Sequence, residues 1–198
     1  MSEKPYYDEQ GFQTGQEVRR ERRRSSKKGG GVVEFLVILL ISFALVFGFV
    51  RPFVVEAFFI PSESMIPTLR VGDRVLVNKF IYRFAEPERG DIIVFESVEG
   101  GSEDLIKRIV GVPGDRISVR GGKLMVDGEP QREPYVNRRF PDRSFYAPTT
   151  VPEDHVFVMG DNRANSRDSR FFGPVPEKKI AGEAFLRFWP PDRIGGLL

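Results

Sequence analysis

The sequence predicts a mainly β protein: an antiparallel β-sheet domain behind one N-terminal transmembrane helix. Three observations carry this. One run, Val32 to Val50, is almost entirely apolar. Beyond Arg51 the chain breaks into short β-branched and aromatic segments separated by Gly, Pro and Asp turns, the pattern of an all-β fold. No other long helical pattern stands out in the 198 residues, a length that holds one ordinary domain plus appendages.

Residues 1–31 are polar, and their basic charge is packed into Val18 to Gly30, where Arg19, Arg20, Arg22, Arg23, Arg24, Lys27 and Lys28 stand against Glu21 alone. This composition cannot build a core, so the segment reads as a disordered tail. By charge alone it could be a nucleic-acid arm. The apolar run that follows favours a different reading, with no nucleic-acid partner. Val32 to Val50 approaches the ~20 residues a helix needs to cross a bilayer, and Glu34, near its start, can lie at headgroup level. With the basic run directly before it, the positive-inside rule predicts a cytoplasmic N-terminus and an extracytoplasmic remainder. The expected division is 1–31 tail, 32–51 anchor and 52–198 globular domain. A cleavable leader competes, because Val55-Glu56-Ala57 has small residues in the cleavage-site pattern. Its apolar segment, however, is longer than the usual ~7–15 residues.

The predicted strands follow in order. Phe53 to Ile60 leads into Pro61. Arg74 to Phe80 carries Val75 and Val77 at alternating positions. Ile92 to Phe95 is a wholly apolar run and reads as a buried strand, and Leu105 to Val110 is the next. Val112-Pro113-Gly114-Asp115 has a type II turn signature. Ile117 to Val119 and Lys123 to Val126, joined through Gly121-Gly122, form a hairpin, and Asp127-Gly128 makes another turn. Residues 129–150, rich in Pro and Arg, read as irregular, within a small insertion of about 115–155. Val156 to Met159 and Ile180 to Trp189 complete the set, and Pro190-Pro191 closes it.

The chain has no cysteine and a single histidine, His155. Thiol chemistry, disulfides and a histidine-rich metal site are thereby excluded, and a Ser-His-Asp triad could use only His155. Three stretches remain chemically distinctive. In Pro61-Ser62-Glu63-Ser64-Met65-Ile66-Pro67, two prolines bracket two serines and stiffen a turn. Such a turn can hold a hydroxyl in a defined place, as a nucleophile requires; it is also what an ordinary surface turn looks like. In Leu105 to Val110, alternation puts Leu105, Lys107 and Ile109 on one face. Burial there lowers a lysine pKa, and Arg108 is expected to add repulsion. A neutral Lys107 could serve as a general base for Ser64; the alternative is a lysine that snorkels to solvent. The third stretch, Gly160 to Arg170, is a dense polar loop whose three arginines argue against a calcium site.

PSESMIPTLRVGDRVLVNK (61–79), KRIVGVPGD (107–115) and GDNRANSRDSRFFG (160–173), in this order after an apolar anchor, resemble bacterial type I signal peptidase, over roughly residues 32–190. The resemblance implies a membrane-bound serine endopeptidase working by a Ser-Lys dyad, with Ser64 as nucleophile and Lys107 as base. It assigns Ser62 and the Ser64 N–H to the oxyanion hole and Ser166 to orienting the lysine. It pairs Asp161 with Arg108 and Asp168 with Arg170 as scaffold. Phe58, Ile60 and Ile106 are expected as pocket walls. The implied partners are signal peptides of preproteins emerging from the export machinery, and the lipid bilayer of the plasma membrane; no cofactor or metal is implied. Glu63 stands where many relatives carry Gly and is expected to point away from the oxyanion. The rival readings are a Ser-Lys protease of the repressor self-cleavage type, in which an anchor has no place, and a membrane-anchored β-domain that binds a partner without catalysis.

Overall fold

The computed structural model describes residues 31–50, 54–101, 103–137, 139 and 141–197. The basic tail, Phe53 and the start of the expected first strand fall outside them. Two compact units divide at Val50/Arg51. In the first, α1 (31–45) continues into a wider π turn at Val46–Val50. The stretch Gly31–Gly48 is long and apolar enough to cross a membrane, and its large hydrophobic side chains are exposed all round.

The second unit is built on antiparallel sheets. Its strands are β1 (Val55–Phe59), β2 (Arg74–Asn78), β3 (Ile92–Glu96), β4 (Asp104–Gly111), β5 (Arg116–Arg120), β6 (Lys123–Val126), β7 (Glu129–Pro130), β8 (Tyr146–Thr150), β9 (His155–Met159), β10 (Val175–Pro176), β11 (Ile180–Trp189) and β12 (Gly195–Gly196). The larger sheet runs β1-β2-β11-β3-β4-β9-β10, with β12 beside β11; the smaller runs β7-β6-β5-β8. Each observed pairing is antiparallel.

Side-chain alternation positions the core. Val75 and Val77 of β2 are fully buried, as their spacing predicts, and so is the apolar run of β3. One cluster joins Ile60, Met65, Leu69, Val75, Ile92, Val94 and Ile106. On the other side of β3 and β4, Ile93, Phe95 and Ile109 pack with Val156 and Val158. The small sheet closes onto the large one through Val110, Phe157 and Met159, which share a cluster with Ile117, Val119 and Val126. The predicted hairpin is present, with Gly121 and Gly122 both at positive φ, 54° and 75°, a backbone that glycine adopts without a Cβ penalty.

The expectation that 129–150 is irregular needs correction. Glu129–Pro130 pairs with β6, and Tyr146–Thr150 pairs with β5. Both strands contain a proline, and both lie at an edge of the small sheet. Proline is tolerated there because an edge strand leaves N–H groups unpaired in any case. The small insertion is therefore a sheet within the same compact unit.

Candidate active site

The serine turn follows β1 directly. Ile60 exchanges backbone bonds with the chain returning at Gly72 and Asp73, both at 3.0 Å. Met65 and Leu69, 1% and 0% exposed, plug the turn into the core. Leu69 N–H donates to the Met65 carbonyl at 2.9 Å. Between these fixed points, Ser64 is held at 7% exposure.

β4 brings Lys107 to it from 43 residues away. The Nζ lies 2.8 Å from Ser64 Oγ and 2.9 Å from the Ile106 carbonyl, donating to both. Lys107 is 4% exposed, and burial lowers its pKa from 10.5 to about 8. Desolvation disfavours the ammonium form, which is the direction a base needs near neutrality. The electrostatic partner differs from the expected one. Arg108 is not among the charges that move Lys107; the Asp168 carboxylate is, and it opposes the effect of burial. Arg108 is instead engaged by Asp161 at 3.0 and 2.8 Å and by the Gly90 carbonyl at 2.7 Å.

Ser62 Oγ sits 3.3 Å from Ser64 Oγ. Glu63 is exposed, and its carboxylate accepts a 3.3 Å bond from Asn165 Nδ2. Ser166 Oγ is buried and has no hydrogen-bond partner among the described residues, so it makes no bond to Lys107 here. It faces Gly160: a Cβ built at Gly160 would lie 2.3 Å from Ser166 Oγ and 2.5 Å from the Ser64 carbonyl oxygen. Gly160 thus lets the third motif pass against the backbone of Ser64. Asp168 and Arg170 are in contact, with Nε 2.8 Å from Oδ1. Ile60 is 1% exposed and belongs to the core cluster. Ile106 is 7% exposed in the same cluster, and half-buried Phe58 packs against it.

Residue patterns alone missed two groups. Asn162 donates from its backbone N–H to the Ser64 carbonyl at 3.0 Å and from Nδ2 to the Glu63 carbonyl at 3.1 Å. Thr68 Oγ1 donates to Asp161, a carboxylate with no exposed surface. Asn162 lies inside the third distinctive stretch and Thr68 directly follows the first, but only the tertiary fold brings residues 93 to 99 positions apart into contact.

A buried lysine amine in hydrogen-bond contact with a serine hydroxyl is an arrangement that a Ser-Lys hydrolase can use. The family model described as signal peptidase, peptidase S26, matches residues 32–189. The chain belongs to this family. A signal peptidase I from Leptolyngbya laminosa is 46% identical over 155 residues, 75% of each chain. A probable signal peptidase I-2 from Synechocystis sp. is 44% identical over 151 residues, 74% of this chain and 68% of that one. Signal peptidase IB from Staphylococcus aureus is 35% identical over 173 residues, covering 79% and 89%. Family membership makes the protein a serine endopeptidase.

Proposed function

We propose that the protein is a membrane-anchored signal peptidase that cuts signal peptides from exported preproteins with a Ser64-Lys107 dyad. The observation that carries this reading is the 2.8 Å contact between Lys107 Nζ and Ser64 Oγ in a buried setting. As an ammonium, the lysine donates to Ser64. Once neutral, the same contact reverses, and the hydroxyl donates to the amine lone pair. Ser64 Oγ then attacks the scissile carbonyl while its proton passes to Lys107, and the C–N bond breaks as that proton moves to the leaving amine. The resulting ester is cleaved by water, whose proton Lys107 accepts and returns to Ser64. The oxyanion formed in each half is stabilised by the Ser64 N–H and the Ser62 hydroxyl, donors positioned before charge develops. Phe58, Ile60 and Ile106 wall a pocket suited to small residues before the cut. Ser166, buried beside Gly160, is the residue proposed to orient the lysine amine.

The names of the relatives support a signal-peptide substrate. The apolar helix and the basic run before it support a single-pass protein of the plasma membrane, with residues 1–31 cytoplasmic, 32–51 spanning and 52–198 outside. The test uses the full chain in vesicles with a preprotein: wild type should release the mature protein, and Ser64→Ala should accumulate uncleaved precursor. Cleavage by Ser64→Ala at the wild-type rate would refute the dyad. No cleavage by wild type would leave the non-catalytic binding domain as the better reading.

A further inference from the structure

The catalytic loop 160–170 is held from outside by a segment with no place in the chemistry above. This is the strap between β7 and β8. Its residues meet three arginines of the site, each by a different contact. The Glu133 carboxylate receives both terminal nitrogens of Arg163, Nη1 at 3.0 Å and Nη2 more closely. The Tyr135 ring lies under Arg108, 4.1 Å from guanidinium carbon to ring centroid. Asp142 and Ser144 accept from Arg170 Nη1 at 2.7 and 3.0 Å. Asn137 N–H also donates to the Asp161 carbonyl at 2.9 Å.

Of these contacts, the one from Glu133 to Arg163 leads to the backbone of Ser64. The Arg163 side chain is 1% exposed. Its Nε donates to the Gly160 carbonyl at 3.0 Å. Gly160 faces the Ser64 carbonyl too closely to admit a Cβ. Two residues on, Asn162 holds the carbonyls of Glu63 and Ser64. A carboxylate on the strap therefore fixes a buried guanidinium, the guanidinium fixes the loop, and the loop fixes the backbone of the nucleophile. A buried arginine deprived of its carboxylate is left uncompensated and must move toward water. Any such shift is transmitted to Gly160 and from there to the Ser64–Lys107 separation.

We infer that Glu133 is a positioning residue: through Arg163 and Gly160 it sets the place of Ser64 relative to Lys107, so the strap between β7 and β8 acts on the reaction from outside the dyad. This rests on the dyad reading proposed above. The test compares full-length wild type, Ser64→Ala, Glu133→Gln and Asp115→Asn in detergent-lipid micelles, with a peptide substrate and parallel melting curves. Asp115 is a control carboxylate, buried and bound on two oxygens by Arg89, whose side chain is exposed, and its contacts do not reach the dyad. Glu133→Gln is expected to lower kcat by about tenfold or more with the chain still folded, as small misplacements of reacting groups do. KM should stay near wild type, because no substrate contact is removed. Asp115→Asn should lower Tm and keep kcat. A fifth variant, Glu133→Met with Arg163→Met, replaces the buried pair by apolar side chains, a change that commonly keeps or raises stability. It should melt at or above Glu133→Gln and remain slow, because Met at position 163 cannot donate to the Gly160 carbonyl. Wild-type kcat in folded Glu133→Gln, or recovery of kcat in the double variant, would overturn the inference and leave Glu133 structural. Should Glu133→Gln fail to fold, Glu133→Asp takes its place: the shorter carboxylate draws Arg163 out of position, so kcat should fall in the folded variant, and wild-type kcat would overturn the inference. Failure of the dyad reading looks different, since Ser64→Ala would then cleave like wild type.

Discussion

Replacing Lys107 by methionine should stabilise the protein at acidic and neutral pH relative to its effect at alkaline pH. The lysine is pushed from 10.5 down to about 8 on folding. Below both values the unfolded chain and the folded chain each carry the proton, and the folded state bears the whole cost of the buried charge. A shift of this size corresponds to about 3 kcal/mol. As pH rises through 8 the folded protein loses its proton first, the unfolded state then binds more protons, and stability climbs until about pH 10.5. Methionine keeps the volume and removes the titration. It also removes a donor from the Ile106 carbonyl, an acceptor left unsatisfied at a cost of about 1–3 kcal/mol. That cost is the same at each pH and cancels in a difference. The stability change measured at pH 6 and at pH 9.5 should therefore differ by about 2 kcal/mol, with the variant relatively more stable at pH 6. Urea unfolding of both proteins in micelles at the two pH values measures it. Activity should be lost throughout, and the wild-type rate should rise with pH toward a plateau above about pH 8. A difference near zero between the two pH values, or cleavage by Lys107→Met at the wild-type rate, would refute the reasoning.

Ser62→Ala should lower kcat on a peptide substrate by roughly 10²–10³, the usual effect of removing one oxyanion donor, while Tm barely changes because the residue is exposed. Unchanged kcat would assign the second donor elsewhere. Gly160→Ala should abolish most activity: its Cβ would meet the Ser64 carbonyl oxygen at 2.5 Å, a backbone atom that cannot swing aside, and a folded variant cleaving at the wild-type rate would contradict that account. His155→Ala should leave the rate and the alkaline rise of the pH profile intact, since the histidine sits at the start of β9 with its ring Nδ1 bonded to the nearby Glu153 carbonyl. Loss of that rise in a folded variant would move the base role to His155.

What the sequence could show depended on whether a residue's partner is local. β2 and β3 were legible because alternation and apolar runs are properties of a single strand, and Val75, Val77 and Ile92 to Phe95 are buried accordingly. β7 and β8 were not, because Pro130 and Pro148 signal a break, and only their place at the sheet edges removes the conflict. At the site, Lys107 between Leu105 and Ile109 already suggested a buried amine. Its nearest electrostatic influence could not be read the same way. Arg108 is its neighbour in sequence, yet successive strand residues face opposite sides, and Arg108 turns to Asp161, 53 residues on. Asp168, the charge that does act on Lys107, reaches it only through the tertiary fold. Pairing of Asp161 with Arg108 and of Asp168 with Arg170 came from resemblance to a family rather than from spacing, and the fold brings both pairs into contact. The same limit hid Glu133. A carboxylate in a Pro-rich and Arg-rich stretch has no periodicity to betray burial, and the arginine it meets lies 30 residues away. The residues hardest to find in this chain are thus those whose effect on Ser64 passes through a second side chain, because pattern reading places a side chain on a face but does not name what crosses to meet it.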